Sequence, residues 1–238
     1  MTTTPIPVRS AAPGTTTPTD TATVDTGRRQ AALTAGAGLL VMAAVAMPAN
    51  AVLQPLTRAT DPAELTTRLA EGTGAARVAV LAFVTIVVLD VLVAWGLARF
   101  LHRDTPSLAT LAGWLRVAYA GMLGAAVITL GEGVRATDPA AAWVGIQGFA
   151  EGWRLALLVF GVHLVVVGAA LFRTAGVPRW LAAAVVVSGL AYVVDTVVRT
   201  LLTDPSAPGV ALTVAVAVPA MVGELGLAVW LLVRGRRS

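Results

Sequence analysis

The 238 residues are 57% hydrophobic and 13% charged, with a formal net charge of +4 and no cysteine, and their mean hydropathy is +0.80. That hydropathy excludes a water-soluble domain and points to an integral membrane protein; the missing thiols exclude disulfides, thiolate metal sites and cysteine nucleophiles. His102 and His163 are the two histidines, too few for the axial ligands of a membrane di-haem protein, so no cofactor is expected. No basic run is interleaved with aromatics, so no nucleic-acid partner is expected either.

Residues 1–27, MTTTPIPVRSAAPGTTTPTDTATVDTG, are rich in Thr, Pro and Ala. They bury too little apolar surface to offset the entropy of ordering, and residues 1–28 are expected to form a disordered cytoplasmic tail. A transmembrane domain is expected over 29–235, because six apolar segments follow, each long enough to cross a hydrocarbon core about 30 Å thick. The spans run over 30–53, 76–100, 107–131, 152–173, 178–202 and 209–233. Between them lie the loop signals TDPAE at 60–64, RDTPS at 103–107, TDPAA at 137–141, AGVPR at 175–179 and TDPSAPG at 203–209. Short hairpins make the second and third helices, and the fourth and fifth, antiparallel neighbours. The fold class is therefore an all-α bundle of six transmembrane helices.

The first span also carries the parts of a secretory signal: a basic start at Arg28 and Arg29, an apolar run and a small-x-small ending at Ala49–Ala51. Its n-region would be unusually long, which favours a retained helix over a cleaved leader. ELTTRLAEG at 64–72 reads as a short amphipathic helix lying on the outer surface.

Arginine placement sets the orientation. The tail, even loops and C-terminal segment hold ten arginines against three acidic residues, and the odd loops hold six against seven. Both termini are accordingly expected in the cytoplasm, with the chain multi-pass in the cell membrane. The lipid bilayer is the expected partner, with a second copy or another membrane protein as further candidates and the ligand unspecified.

Asp90, Arg116, His163 and Glu224 each lie nine or ten residues from the cytoplasmic end of their own span, or about 14 Å deep at 1.5 Å per residue. A carboxylate at that depth costs about 2.5–3.5 kcal/mol on insertion scales, so each needs a partner or a use. Arg116 can pair with Asp90 or Glu224, since its planar fork serves two carboxylates and stays charged, and His163 can bridge. Two readings stand side by side: an ion network that sets helix register, or a ligand or proton pathway. For His163 alone, a hydrogen-bonded interior histidine is preferred to a metal or relay site. In the fifth span Ser188, Tyr192, Asp195 and Arg199 are spaced i, i+4, i+7 and i+11, on one helix face that should point into the bundle and bond its neighbours. The pairs Ala120 with Gly124 and Gly161 with Gly168 read as close-packing positions.

Enzyme signatures do not emerge. VSGL at 187–190 lacks a nucleophile elbow, and neither a zinc-protease helix motif nor a phosphate loop occurs.

Five segments together resemble domain of unknown function family 4386, a set of bacterial multi-pass membrane proteins. They are VVLDVLVAWGL with Asp90, WLRVAYAGMLG with Arg116, GVHLVVVGAALFRTAGVPRWL with His163, GLAYVVDT with Tyr192 and Asp195, and PAMVGELGLAVWLLVRG with Glu224. The resemblance covers about residues 28–236 and is most specific from Gly161 to Gly235. The chain departs from the family pattern in its Thr/Pro tail and a shortened loop between the third and fourth spans. The resemblance implies that Asp90, Arg116, His163, Asp195 and Glu224 belong to the family pattern, and it implies no activity, cofactor or partner. The functional expectation is a small-molecule or proton-linked transporter or sensor that uses the buried polar layer. The alternative is a non-transporting accessory protein that binds another membrane protein.

Overall fold

The computed structural model describes residues 18–202 and 209–237. Their regular structure is six helices: α1 (Pro18–Thr57), α2 (Pro62–Leu101), α3 (Pro106–Arg135), α4 (Pro139–Arg173), α5 (Arg179–Leu201) and α6 (Gly209–Arg237). Proline opens four of them, where its missing N–H costs nothing and its fixed φ suits the first turn. Asp61 and Asp138 cap α2 and α4, accepting from the backbone N–H of Glu64 and Ala141 at 2.8 Å each. Glu64 reaches back to the N–H of Thr60 at 2.7 Å, which completes a reciprocal cap. Two of the segments read as loops, TDPAE and TDPAA, are thus helix starts.

Several boundaries differ from the sequence reading. The helical backbone of α1 begins at Pro18 and takes in residues assigned to the tail, while residues 1–17 of that tail lie outside the described part. The segment 64–72 is a short amphipathic helix, as expected; at Gly72 the backbone leaves the helical region (φ −129°, ψ 20°), and this kink joins it to the second span within α2. Its apolar side, Leu65 and Leu69, is buried in the core. Helix α4 starts at Pro139 and not at 152, leaving a three-residue turn over 136–138 after α3. TDPSAPG falls mostly outside the described residues.

α1 to α5 are long and apolar enough to cross a membrane, counting α1 from Thr26. Their outward faces carry large apolar side chains such as Trp95, Trp114, Ile128 and Trp180, the pattern expected of a multi-pass membrane protein. Each helix packs on the next in sequence, and α6 returns to α1, so the six close a ring; α2 and α4 also touch across it.

Small residues allow these close approaches. A methyl group added at Gly96 would lie 2.9 Å from the Ala31 carbonyl oxygen and 3.0 Å from the Ala35 nitrogen, where α2 meets α1. Gly161 faces Gly189 and Tyr192 of α5, and Gly168 faces Ala182 and Val186, whereas Gly124 has only Val87 at 3.7 Å. Without a hydrophobic drive between helices in lipid, such van der Waals contact carries much of the association. Gly96→Leu is therefore expected to push α1 from α2 and lower the thermal unfolding midpoint of the detergent-purified protein by several degrees. Gly124→Ala should leave that midpoint within error.

Candidate functional site

Asp90 from α2, Arg116 from α3 and His163 from α4 form one buried cluster, each no more than 1% exposed. Arg116 Nη2 stands 2.7 Å from Asp90 Oδ1. The two are close enough for an ion pair but off the direction of a hydrogen bond, and among the described residues neither carboxylate oxygen of Asp90 has a hydrogen-bond partner. Arg116 Nη1 lies 3.3 Å from His163 Nε2, and His163 Nδ1 lies 2.9 Å from the carbonyl oxygen of Ala112. A guanidinium only donates and a carbonyl only accepts. His163 therefore carries its proton on Nδ1, donates it to Ala112, and accepts from Arg116 through Nε2. A neutral imidazole used on both sides in this way has no nitrogen left for a metal, and among the described residues no group of three His, Cys, Asp or Glu side chains could hold one.

Aromatic rings close over the cluster. The Arg116 guanidinium sits 5.3 Å from the centre of the Phe160 ring, within cation–π range. Phe160 stacks on His163 at 5.7 Å and contacts Tyr119 at 4.7 Å and Tyr192 at 5.5 Å. Tyr192 donates its hydroxyl to Glu224 Oε1 at 3.1 Å. Glu224 is therefore held by a phenol and not by Arg116, and it forms no ion pair with any described arginine. Gly223, beside it, lets α6 approach the Ala184 carbonyl of α5, where an added methyl would sit 3.0 Å away.

Asp90 and Glu224, with the rings beside them, line a cavity of about 600 Å³ to which all six helices contribute, a size within the range of small-molecule sites. Asp90, Tyr119, Phe160, Tyr192 and Glu224 are at the floor; Phe83, Leu123 and Trp153 stand higher on the wall, and Asn50 and Gln54 of α1 lie toward the α1–α2 turn. On the other side of the floor the ring is filled by Val93, Leu97, Phe100, Val167, Leu227 and Leu231, all buried.

The structure thus draws Asp90, Arg116 and His163 into direct contact and sets Glu224 at the same cavity through Tyr192. The stripe on α5 divides. Ser188 donates to the Pro219 carbonyl of α6 at 2.5 Å and to Ala184 at 2.8 Å, and so fastens α5 to α6. Asp195 pairs with Arg199 on its own helix at 2.8 Å, half-buried and away from the cavity lining. Sequence reasoning missed the aromatic wall. Its signal was there in the spacing of Phe149, Trp153, Phe160 and His163, which shares one face of α4.

Removing Arg116 leaves Asp90 as a buried charge without a counterion, a change that costs about 3–5 kcal/mol in known cases. Arg116→Met should lower unfolding stability on that scale in denaturant titrations of the purified protein. The double variant Arg116→Met with Asp90→Leu should recover most of the loss, because an apolar pair leaves no charge stranded.

Comparison with known proteins adds a family and no function. An uncharacterized protein of Archaeoglobus fulgidus is 24% identical over 152 residues, which is 64% of this chain and 80% of the relative. No solved structure matches. The family described as domain of unknown function (DUF4386) matches residues 34–235, from the first membrane helix to the last turns of α6. The chain belongs to that family.

Proposed function

We propose that the protein is a small-molecule transporter or sensor of the cell membrane, with α6 as a sixth span, both termini in the cytoplasm and the central cavity as its binding site. The observation that carries this reading is the cavity itself. It is lined by every helix, and its floor holds a carboxylate, Asp90, buried with no hydrogen-bond partner among the described residues. A purely structural ion pair is better served by full hydrogen bonding and tight packing; an open cavity beside an unsatisfied carboxylate suits an occupant.

The orientation follows from arginine. Arg99, Arg103, Arg173 and Arg179 lie at one end of the bundle, where Arg28 of α1 pairs with Asp104 at 2.5 Å and sits 4.8 Å from the Phe100 ring centre. With that end in the cytoplasm, the cavity occupies the outer half, and the Asp90, Arg116 and His163 cluster separates it from the packed inner half. As a sensor, the protein would register occupancy at this cluster. As a transporter, it would have to break the cluster once per cycle, and two packings of the helices around Arg116 would alternate.

Purification of the full chain from native membranes, with mass analysis of what accompanies it, tests the reading. A small molecule that accompanies the wild type and is depleted at least fivefold in Glu224→Gln supports it. An empty cavity together with a stoichiometric partner protein, unchanged in Glu224→Gln, would replace it with the accessory-protein alternative.

A further inference from the structure

The cavity wall carries two carboxyl groups, Asp90 and Glu224. Asp90 and Arg116 offset one another at 2.7 Å, while Glu224, in the same wall, has the Tyr192 hydroxyl and no described arginine. A half-buried carboxyl away from water is either neutral or paired, and Arg116, the cation nearest to hand, is already engaged by Asp90 and His163, so an ionised Glu224 would draw a further cation. Around that position stand Tyr119, Phe160 and Tyr192, with the Phe160 ring in contact with each of the two tyrosines, and aromatic faces attract cations within about 6 Å. The unpartnered Asp90 Oδ2, 0% exposed, adds an acceptor at the floor. Higher up, the buried indole nitrogen of Trp153 faces Tyr119. Trp153 precedes Phe160 by seven residues on α4, or about 10 Å along the helix.

The mouth of the cavity shows the route in. Lining residues from α2, α3 and α4 are buried: Phe83 is 1% exposed, Leu123 1% and Phe160 4%. From α1 and α6, by contrast, Met47 is 74% exposed and Met221 62%, and both line the cavity. The opening is therefore lateral, between α1 and α6. Toward the arginine-rich end the two helices close: a methyl group at Gly36 would lie 2.9 Å from the Ala228 carbonyl. Along the opening each carries a proline, Pro48 in α1 and Pro219 in α6, which removes a backbone hydrogen bond and favours a bend. The rim is methionine and other apolar side chains, at membrane depth.

Resting on the small-molecule reading above, we infer that the cavity takes a lipophilic organic monocation, an amine with an apolar body, which enters from the bilayer between α1 and α6 and sets its ammonium against Glu224 and Asp90 within the Tyr119, Phe160 and Tyr192 rings.

Decylamine, decanol and decanoate share a tail and differ in head charge, and they separate the possibilities. The full-length protein in nanodiscs of zwitterionic lipid is titrated with each, and tryptophan emission is read against empty nanodiscs and against Trp153→Phe, which removes the reporting indole. Decylamine should give a saturable change, absent with decanol and decanoate. Glu224→Gln should weaken the apparent affinity at least tenfold, while Glu224→Asp, which keeps the charge, should stay within a few-fold. Met221→Trp, at the exposed rim, should block binding without touching the charged groups and stands in if Glu224→Gln fails to fold. Equal saturation by decanol or decanoate overturns the cation while leaving a small-molecule cavity in place. No saturation by any of the three, with a neutral or anionic molecule accompanying the purified protein, overturns the inference alone. No saturation and no accompanying molecule overturns both readings.

Discussion

The interaction on which the interior depends is the ion pair of Arg116 with Asp90. Lipid supplies no water to solvate either charge, so each must find its counterpart inside the protein. Meeting at 2.7 Å, they tie α2 to α3, and the second arm of the guanidinium reaches His163 of α4. His163 is fixed in turn by the Ala112 carbonyl, so three consecutive helices are held in register by one chain of contacts. Arginine suits this position because its fork addresses two neighbours at once and remains charged when buried.

The cluster also divides the bundle. Toward the arginine-rich end, aliphatic and aromatic side chains fill the ring; toward the other end the same ring stands open as a cavity. The helices around that cavity are unequally joined. α3 and α4 approach so closely that Gly133 and Gly145 leave no room for a methyl on either. α1 and α6, each bearing a proline, meet closely at Gly36 and Ala228.

Much of the architecture was legible in the sequence, because lipid imposes strong rules. Apolar segments about twenty residues long must be helices, and Pro, Asp and Thr punctuate their starts. Boundaries were less legible. Residues 139–151 are only moderately apolar and look like a loop, yet they are part of α4, because helical hydrogen bonding runs on once a cap and an N1 proline have started it; residues 64–72 form the short amphipathic helix expected of them, joined to the second span at the Gly72 kink. Within the polar layer, common depth could be read by counting residues, but partner choice could not. Asp90 and Glu224 looked equivalent as partners of Arg116; rotation of α2 and α6 about their own axes gave Asp90 to the arginine and Glu224 to Tyr192.

The sequence by itself determined that this chain lives in a membrane, that it is built of long apolar helices, and which few polar side chains lie deep within them, since hydropathy and spacing act locally along the chain. Only the tertiary structure decided that Arg116 serves Asp90 and His163, that Ser188 and Tyr192 bind α6 while Asp195 turns to Arg199 on its own helix, and that the layer floors a cavity open between α1 and α6. Those outcomes depend on how far each helix turns and how closely its neighbours approach. That is set by glycine contacts between segments distant in sequence, which no local pattern encodes.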